Sequence, residues 1–523
     1  MLVHMHQLLT IKQMYEADRL AIAGEGAGEV SGIDLMENAG AAIAKIALER
    51  WPKAHNVVVF CGPGNNGGDG FVVARLLAGQ GLCVRLINVL ADVPLSGDAA
   101  IAAKRYDGVV ETLPDDWLAS DRRASNRRVC TRLACDRLVC DLVIDAMFGA
   151  GLSRPLAGVV AEIVDSINQC DAPVLSVDMP SGIDGDSGAV CGCALKADVT
   201  VTFFRRKPGH LQMPGRGFCG CLRVVDIGIE DQVLETIKPQ NFANEPALWS
   251  KKLPISTLDQ HKYNRGHVLA VSGGHAKTGA GRLAARGALR AGAGLVSVAS
   301  PPDALDENAA HLTAIMIKVF GNSRDLAAIL DDKRLNSVVI GPGLGLGKNT
   351  QKCVEAVLSS GAKTVIDADG LTGFTQQPET TQALFSAIKA MPNRDVVLTP
   401  HGGEFGRLFG NISGSKIEQA AKAAKTSGAT IVYKGADTVI AAPDPPYAIA
   451  INYNAPASLA TAGSGDVLAG IIAGLMGQGM SGFDAGCAGV WMHGHAARLF
   501  GPGLIAEDLP EMLPKVWAEL LKT

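Results

Sequence analysis

The sequence predicts an α/β protein of two domains, each built on a sheet of buried parallel strands. The chain has 523 residues, more than one typical domain holds. Short unbroken apolar runs such as Asn56–Cys61, Leu142–Asp145 and Ser337–Ile340 read as strands covered on both faces. Those runs repeatedly enter glycine-rich or acidic loops, as in open α/β sheets whose ligands bind at the carboxyl ends of the strands.

Composition narrows the function classes. A net charge of −4 supplies no electrostatic argument for nucleic acid or an anionic membrane, so neither is expected as a partner. The Arg-rich stretch Asp121 to Arg132 mixes acids with its bases and reads as a solvated insertion. The first residues lack the basic flank and apolar core of a signal peptide. No run approaches the roughly 20 apolar residues that span a bilayer. A soluble, cytoplasmic protein is expected, and a homo-oligomer. Twelve cysteines in a chain of this length do not make a disulfide framework. Cys191-Gly-Cys193 and Cys219-Gly-Cys221 are more closely spaced than the paired ligands of structural zinc sites, which argues against zinc.

In the first half, apolar residues recur at helical spacing over Ile11 to Ala23 and Ser31 to Arg50. The strand Asn56–Cys61 then enters Gly62-Pro-Gly-Asn-Asn-Gly-Gly-Asp69-Gly70, and a helix pattern follows over Phe71 to Ala78. Strand, glycine loop and helix is the layout of a dinucleotide-binding unit, and Gly62, Gly64 and Gly67 satisfy its glycine spacing. The next strand, Leu82 to Val89, ends without the ribose-binding acid, so an NAD dehydrogenase is the second reading. Leu142–Asp145 and Pro173–Asp178 also end in acids. One strand-end Asp is most often a turn former. Asn66, Asp145 and Asp178 at three glycine-rich strand ends are harder to explain as turns alone. Side-chain oxygens of Asn66, Asp145 and Ser181 suit a hard cation, and Arg154 suits a phosphate.

These segments resemble the NAD(P)H-hydrate epimerase domain. The resemblance rests on Cys61 to Gly70, Asp145-Ala-Met-Phe-Gly-Ala-Gly-Leu-Ser-Arg-Pro155, Val177-Asp-Met-Pro-Ser-Gly182, Ala197-Asp-Val-Thr-Val-Thr-Phe203 and Lys207-Pro-Gly-His210. It spans about residues 10 to 230 and implies a Rossmann-like three-layer α/β/α fold. It implies that Asn65, Asn66, Gly67, Gly68 and Asp69, together with Gly149, Ala150, Gly151, Leu152, Ser153, Arg154 and Pro155, line a hydrated nicotinamide cofactor. Asp178 would contact the hydrate and handle a proton, while Asn66, Asp145 and Ser181 would hold potassium.

Glycine density falls between Asp226 and Leu258, where Pro239, Pro246 and Pro254 punctuate a polar stretch. The domain boundary is placed there, giving residues 1–238 and 239–523. In the second half the expected strands His267–Val271, Ser337–Ile340, Thr364–Asp367 and Val396–Leu398 run into Ser272-Gly-Gly-His275, Gly341-Pro-Gly-Leu-Gly345, Ala368-Asp369 and Thr399-Pro-His401-Gly-Gly-Glu404. That is another parallel sheet with its site along one edge. Gly341 to Asn349 is not a Walker A loop, because Pro342 and Asn349 stand at required positions. Lys434-Gly-Ala-Asp-Thr438 offers a lysine and a turn to a phosphate or ribose, and as a pattern it also reads as a hairpin turn.

Near the end, Gly463 and Gly465 precede the apolar run Val467 to Met476, which reads as a buried helix. Glycines before a helix start make a ready anion site. Asp466 there has two readings: a proton acceptor for a hydroxyl that meets a phosphoryl group, or a helix cap. Ala462-Gly-Ser-Gly-Asp466 resembles the signature of ribokinase-like enzymes, whose small-residue loop holds phosphates beside a catalytic Asp.

Taken with His261 to Gly266, Gly341 to Gly345, Leu398 to Glu404 and Lys434 to Thr438, residues 250 to 520 resemble the ADP-dependent NAD(P)H-hydrate dehydratase family, of ribokinase-like α/β fold. The resemblance implies that Ala280, Gly343, His401 and Asp466 contact the hydrate. It assigns Lys434, Gly435, Ala436, Asp437, Thr438 and Gly465 to the adenine nucleotide, ADP or ATP, with magnesium accompanying it. As a lone residue His401 also reads as a buried structural histidine. Lys277-Thr278, Asp369-Gly-Leu371 and Ser464 depart from the commoner Tyr-Thr, Asp-Ala-Leu and Thr.

The two resemblances adjoin in the order of a bifunctional repair family acting on NADHX and NADPHX. The first domain would interconvert the R and S hydrates, and the second would dehydrate the S form at the expense of the nucleotide. A vitamin-type kinase is the rival enzyme reading and predicts a phosphorylated product that accumulates. A binding scaffold in the first domain is the rival from another class, and the intact Asn66, Asp145, Asp178 and Ser181 speak against it.

Overall fold

The computed structural model describes residues 6–25, 30–113, 140–152, 154–255, 257–259, 261–444 and 448–522. The Arg-rich stretch 121–132 and Ser153 lie outside the described residues. The chain divides into two compact units, residues 1–239 and 240–523.

Among the described residues, the main sheet of the first unit has seven strands in the order Val110–Thr112, Cys83–Asn88, Asn56–Cys61, Leu142–Ala146, Val174–Val177, Val199–Phe203, Cys221–Val225. Every adjacent pair is parallel. Along Asn56–Cys61 the side chains alternate between two cores. Val57, Val59 and Cys61 pack with the helices Ile11–Ile22, Gly32–Arg50 and Asn65–Gly79, whereas Val58 and Phe60 pack with Val159–Asn168. Helices therefore cover both faces, which makes three layers. The strand order reverses between Asn56–Cys61 and Leu142–Ala146. In such sheets the crevice at the reversal, beyond the carboxyl ends of the two strands, is where ligands bind.

The helix expected from Phe71 begins earlier, at Asn65. Its first turns hold three glycines that are there for close approach. A Cβ on Gly67 would stand 1.9 Å from the Gly62 carbonyl oxygen, and one on Gly70 would stand 2.6 Å from Cys61 Sγ. Each glycine costs a helix about 1 kcal/mol relative to alanine, and here it lets the helix start lie directly against the strand that precedes it.

In the second unit the strands run Asn241–Ala243, Ile449–Ile451, Val439–Ala441, Thr430–Tyr433, Val396–Leu398, Lys363–Ile366, Leu335–Ile340, His267–Val271, Leu295–Ser300, Met316–Val319. From Met316–Val319 to Thr430–Tyr433 the pairing is parallel, as expected. Beyond that the sheet is mixed, because Thr430–Tyr433 and Val439–Ala441 pair antiparallel, as do Val439–Ala441 and Ile449–Ile451. The connection 434–438 is long enough for a hairpin and too short for a crossover. The helices Gly279–Arg290 and Ser464–Gly477 meet at van der Waals distance, since a Cβ on Gly470 would stand 2.0 Å from the Ala284 carbonyl oxygen. No helix of the described residues is long and apolar enough to cross a membrane.

Candidate active sites

At the strand-order reversal of the first unit lies a cavity of about 680 Å3. Its walls include Asn65, Asn66 and Asp69 of the glycine-rich helix start, Gly149, Ala150, Gly151, Leu152 and Arg154 of the opposite loop, and Asp178. Gly67, Gly68 and Pro155 are not among the lining residues. Gly67 is packed on the Gly62 carbonyl, and a Cβ on Gly68 would collide with the Met36 side chain at 2.7 Å, so these two glycines shape the wall from behind. The helix N-terminus at Asn65 is capped by Gly64 with no side-chain hydrogen bond, leaving its N–H groups open toward the cavity.

Asp178 follows the strand Val174–Val177 with φ of 63°, a left-handed backbone that is uncommon for a residue with a side chain. Neighbouring groups hold it there. Its N–H donates to the Val201 carbonyl at 2.7 Å, and His210 Nε2 lies 2.8 Å from its carbonyl oxygen. Because His210 Nδ1 accepts from the Lys207 N–H at 2.9 Å, Nε2 carries the proton and donates. Burial pushes the His210 pKa down to about 4, which keeps that ring neutral.

Lys207 Nζ stands 2.5 Å from Asp178 Oδ1, with the lysine side chain 3% exposed. Thr202 Oγ1 closes the triangle, donating to Asp178 Oδ1 at 2.9 Å and accepting from Lys207 Nζ at 2.9 Å. Burial would raise the Asp178 pKa, but the Lys207 ammonium outweighs it and holds the carboxyl below its usual value. Three further carboxyls, Asp18, Asp69 and Asp98, line the same cavity, and two of them are shifted. Burial pushes Asp18 up to about 6 and Asp69 well above the ordinary range, and the Asp178 charge adds to both. A cavity that keeps one carboxylate ionised beside two that resist ionisation is equipped for proton transfer.

Asp145 is fully buried and accepts from Ser176 Oγ at 2.8 Å, Ser181 N at 2.9 Å and Ser181 Oγ at 2.6 Å. Burial raises its pKa, and the Ser181 hydrogen bonds oppose that. Among the described residues no lysine or arginine pairs with it. Ser181 Oγ also lies 3.2 Å from the Phe148 carbonyl oxygen, so oxygens of Asp145, Ser181 and Phe148 come together at a buried carboxyl with no cationic partner among the described residues, and oxygen donors of that kind suit a hard monovalent cation. Asn66 is not bonded to Asp145 or Ser181 among the described residues. With its amide turned to satisfy both ends, it donates to Val177 O at 3.1 Å and accepts from Gly149 N at 3.3 Å.

In the second unit the corresponding strand reversal separates His267–Val271 from Leu335–Ile340. The helix Ser464–Gly477 starts at Gly463, whose φ of 83° suits glycine and which supplies no side-chain cap. Asp466 sits in the first turn, and its side chain makes no hydrogen bond to the helix start among the described residues. Burial pushes its pKa up to about 6, Asp367 adds to the rise and Lys434 opposes it. Gly465 faces a charged pair: a Cβ there would stand 3.4 Å from Lys434 Nζ and 3.9 Å from Asp367 Oδ2. Lys434 Nζ donates to Asp367 Oδ1 at 2.8 Å, and Thr399 Oγ1 donates to the same oxygen at 2.7 Å.

His401 is half exposed, not buried, and caps the helix Gly402–Phe409. Its Nδ1 accepts from Gly403 N at 2.9 Å, while Glu404 Oε2 accepts from His401 N at 2.9 Å. That leaves Nε2 as the ring atom available to a ligand. Ala280 and Gly343 come together, since a Cβ on Gly343 would touch Ala280 Cβ at 3.4 Å. Lys434 to Thr438 do form the hairpin turn, closed by Gly435 N donating to Thr438 Oγ1 at 3.2 Å. Within it Lys434 turns toward Asp367, and Asp437 pairs with Lys416 at 2.6 Å. Gly435 and Ala436 remain exposed on the turn.

Several residues of these sites carried no assignment from sequence. Thr202, Lys207 and His210 stood inside quoted motifs, and Asp367, Asp369 and Glu404 at strand ends or helix starts, but nothing in one chain marked their chemistry. Asp18 and Tyr15 belong to an ordinary amphipathic helix, and only the folded cavity singles them out.

Two family models match. One described as NAD(P)H-hydrate dehydratase covers residues 268–515, and one described as YjeF-related protein N-terminus covers residues 32–209. The bifunctional NAD(P)H-hydrate repair enzyme Nnr of Thermofilum pendens is 37% identical over 92% of this chain and 91% of its own. That of Moorella thermoacetica is 36% identical over 98% and 97%, and that of Escherichia coli 33% identical over 96% and 93%. Among solved structures, the ADP/ATP-dependent NAD(P)H-hydrate dehydratase of Bacillus subtilis, co-crystallised with ATP and Mg2+, is similar at 27% identity over 53% of this chain and 98% of that one, with a TM-score of 0.46. With relatives this similar over nearly its whole length, the chain belongs to the family of bifunctional NAD(P)H-hydrate repair enzymes.

Proposed function

We propose that residues 1–238 interconvert the R and S hydrates of NADH and NADPH, and that residues 239–523 dehydrate the S form with ADP or ATP as co-substrate. The reading of the second site is carried by one observation: an uncapped, glycine-led helix start stands beside Lys434, with the unpaired Asp466 carboxylate in its first turn. Such a helix start attracts phosphate, and a carboxylate near a phosphate needs chemical work to justify it.

Asp466 takes the proton of the ring hydroxyl as that oxygen meets the terminal phosphoryl group. Backbone N–H groups of Gly463 to Gly465 and the Lys434 ammonium stabilise charge on the phosphoryl oxygens. Phosphate then leaves far more readily than hydroxide, expelled by the lone pair of the ring nitrogen, and loss of a proton from the neighbouring ring carbon to solvent restores the reduced nicotinamide. Lys434 to Thr438 and Gly465 hold the nucleotide, and Ala280, Gly343 and His401 hold the hydrate. Among the described residues no three His, Cys, Asp or Glu side chains gather as a metal set. Magnesium bound with the nucleotide would supply charge neutralisation at its phosphates.

In the first site, Asn65 and Asn66 at the helix start, Asp69, Gly149 to Leu152 and Arg154 enclose the hydrate. Asp178 handles the proton of the carbon-bound hydroxyl. Asp145 and Ser181 with the Phe148 carbonyl would hold potassium, which would offset the buried charge beside the loop carrying Gly149 and Ala150. Asn66 orders that loop from its other side through Gly149.

Recovery of reduced-nicotinamide absorbance from hydrated NADH, with and without ADP, tests the whole reading. Recovery that needs the nucleotide and releases free phosphate supports it. Accumulation of a stable phosphorylated product would instead favour a small-molecule kinase.

A further inference from the structure

The Asp178–Lys207 pair is free where a structural ion pair would be closed. Both residues line the 680 Å3 cavity. Thr202, which is not among the residues lining the cavity, ties the pair through Asp178 Oδ1 and one N–H of Lys207. A second lysine N–H points at Asp178 Oδ1. That leaves the third N–H of the ammonium, and on the carboxylate Oδ2, whose hydrogen bond from Ala150 N is a long 3.2 Å. The available acid and the available base are thus neighbours on one edge of the cavity.

Epimerisation of the hydrate has two routes. Losing hydroxide and adding water to the opposite face needs proton-transfer groups on both faces of the ring. Opening the ring needs an acid and a base side by side, because the hydroxyl oxygen and the ring nitrogen are bonded to one carbon.

Building on the epimerase reading, we propose that Asp178 and Lys207 act as a base–acid couple that epimerises the hydrate through a ring-opened aldehyde. Asp178 Oδ2 takes the hydroxyl proton, and that carbon–oxygen bond becomes a carbonyl. The bond from the same carbon to the ring nitrogen breaks, its electron pair stays on nitrogen, and Lys207 gives nitrogen a proton. Asp178 has gained the proton that Lys207 lost, so the pair's total charge is unchanged and no oxidant or reductant enters. Rotation about the bond between the aldehyde carbon and its ring neighbour presents the other carbonyl face. The reverse transfers then close the ring as the opposite epimer.

The test follows epimerisation by the full-length protein in 18O-labelled water, sampling early and weighing the product. Ring opening predicts that the epimerised hydrate keeps its unlabelled oxygen. One labelled oxygen gained per epimerisation overturns the proposal. If the protein does not speed R/S exchange at all, the epimerase reading itself fails, an outcome distinct from label uptake. Lys207→Arg supplies the second arm, since guanidinium preserves an ion pair and does not give up a proton. A loss of about 100-fold or more in epimerisation is expected, the usual scale of general acid catalysis. Exchange close to the parent's rate would make Lys207 a structural partner only.

Discussion

Lys434 Nζ lies 2.8 Å from Asp367 Oδ1, so the lysine beside Gly465 is already committed to a carboxylate other than Asp466. Asp466 is left half-buried and unpaired among the described residues. Asp466→Asn keeps its size and removes its basicity. Dehydration should fall by about 100-fold or more, while nucleotide binding, measured by calorimetry, stays within a few-fold of the parent. Normal turnover by this variant would leave Asp466 a bystander.

The same network sets a pH dependence. Asp466 acts as a base only when ionised, and burial with Asp367 pushes its pKa up to about 6. Dehydration should therefore decline as pH drops through about 6 and be flat above it. Asp367→Asn removes a raising charge and frees Lys434, which lowers the Asp466 pKa, so both effects act in one direction. Rates of this variant, normalised to their own plateau, should show the acid limb moved to lower pH. A limb that moves upward or stays fixed would assign it to another group.

How much of this could be read from one chain differs between fold and site. Strand ends were legible because buried parallel strands are continuous apolar runs, and Asn56–Cys61 and His267–Val271 match those runs residue for residue. The start of the helix at Asn65 was not, because three glycines in six residues read as loop until the Gly62 carbonyl and Cys61 Sγ are seen to need that space. Asp178 could be singled out as a strand-end acid. Its partner Lys207 could not, since the pairing spans 29 residues and depends on the strand Val199–Phe203 lying beside Val174–Val177. Asp466 has two readings in sequence, and its side chain's lack of a hydrogen bond to the helix start speaks for the proton acceptor.

Potassium offers a third prediction. Asp145 is buried with hydrogen bonds from neutral donors only, and burial raises its pKa. A cation there offsets the buried charge, so exchanging potassium for tetramethylammonium should slow R/S exchange and lower the unfolding temperature of the first unit. Asp145→Asn, neutral at every pH, should lose the difference between the two salts. Undiminished exchange in tetramethylammonium would argue against a cation at Asp145 and Ser181.

The two sites can finally be read against each other in one progress curve. Asp178→Asn removes the proposed base of the first site and touches nothing assigned to the second. It also leaves the Lys207 ammonium buried without its carboxylate, which costs about 3–5 kcal/mol in comparable buried pairs, so an unfolding curve must first show that the variant is native. Given a mixed R/S hydrate and ADP, it should consume the S portion at the parent's rate and then slow to spontaneous epimerisation. The parent should run to completion in one phase. Adding an equal amount of Asp466→Asn, which keeps a working first site, should restore the single phase, because the R form that one protein cannot use is converted by the other. Were Asp178→Asn alone to finish in one phase, the proton-handling residue of the epimerase would have to be sought elsewhere in the cavity, with Asp18, Asp69 and Asp98 the other carboxyls on its wall.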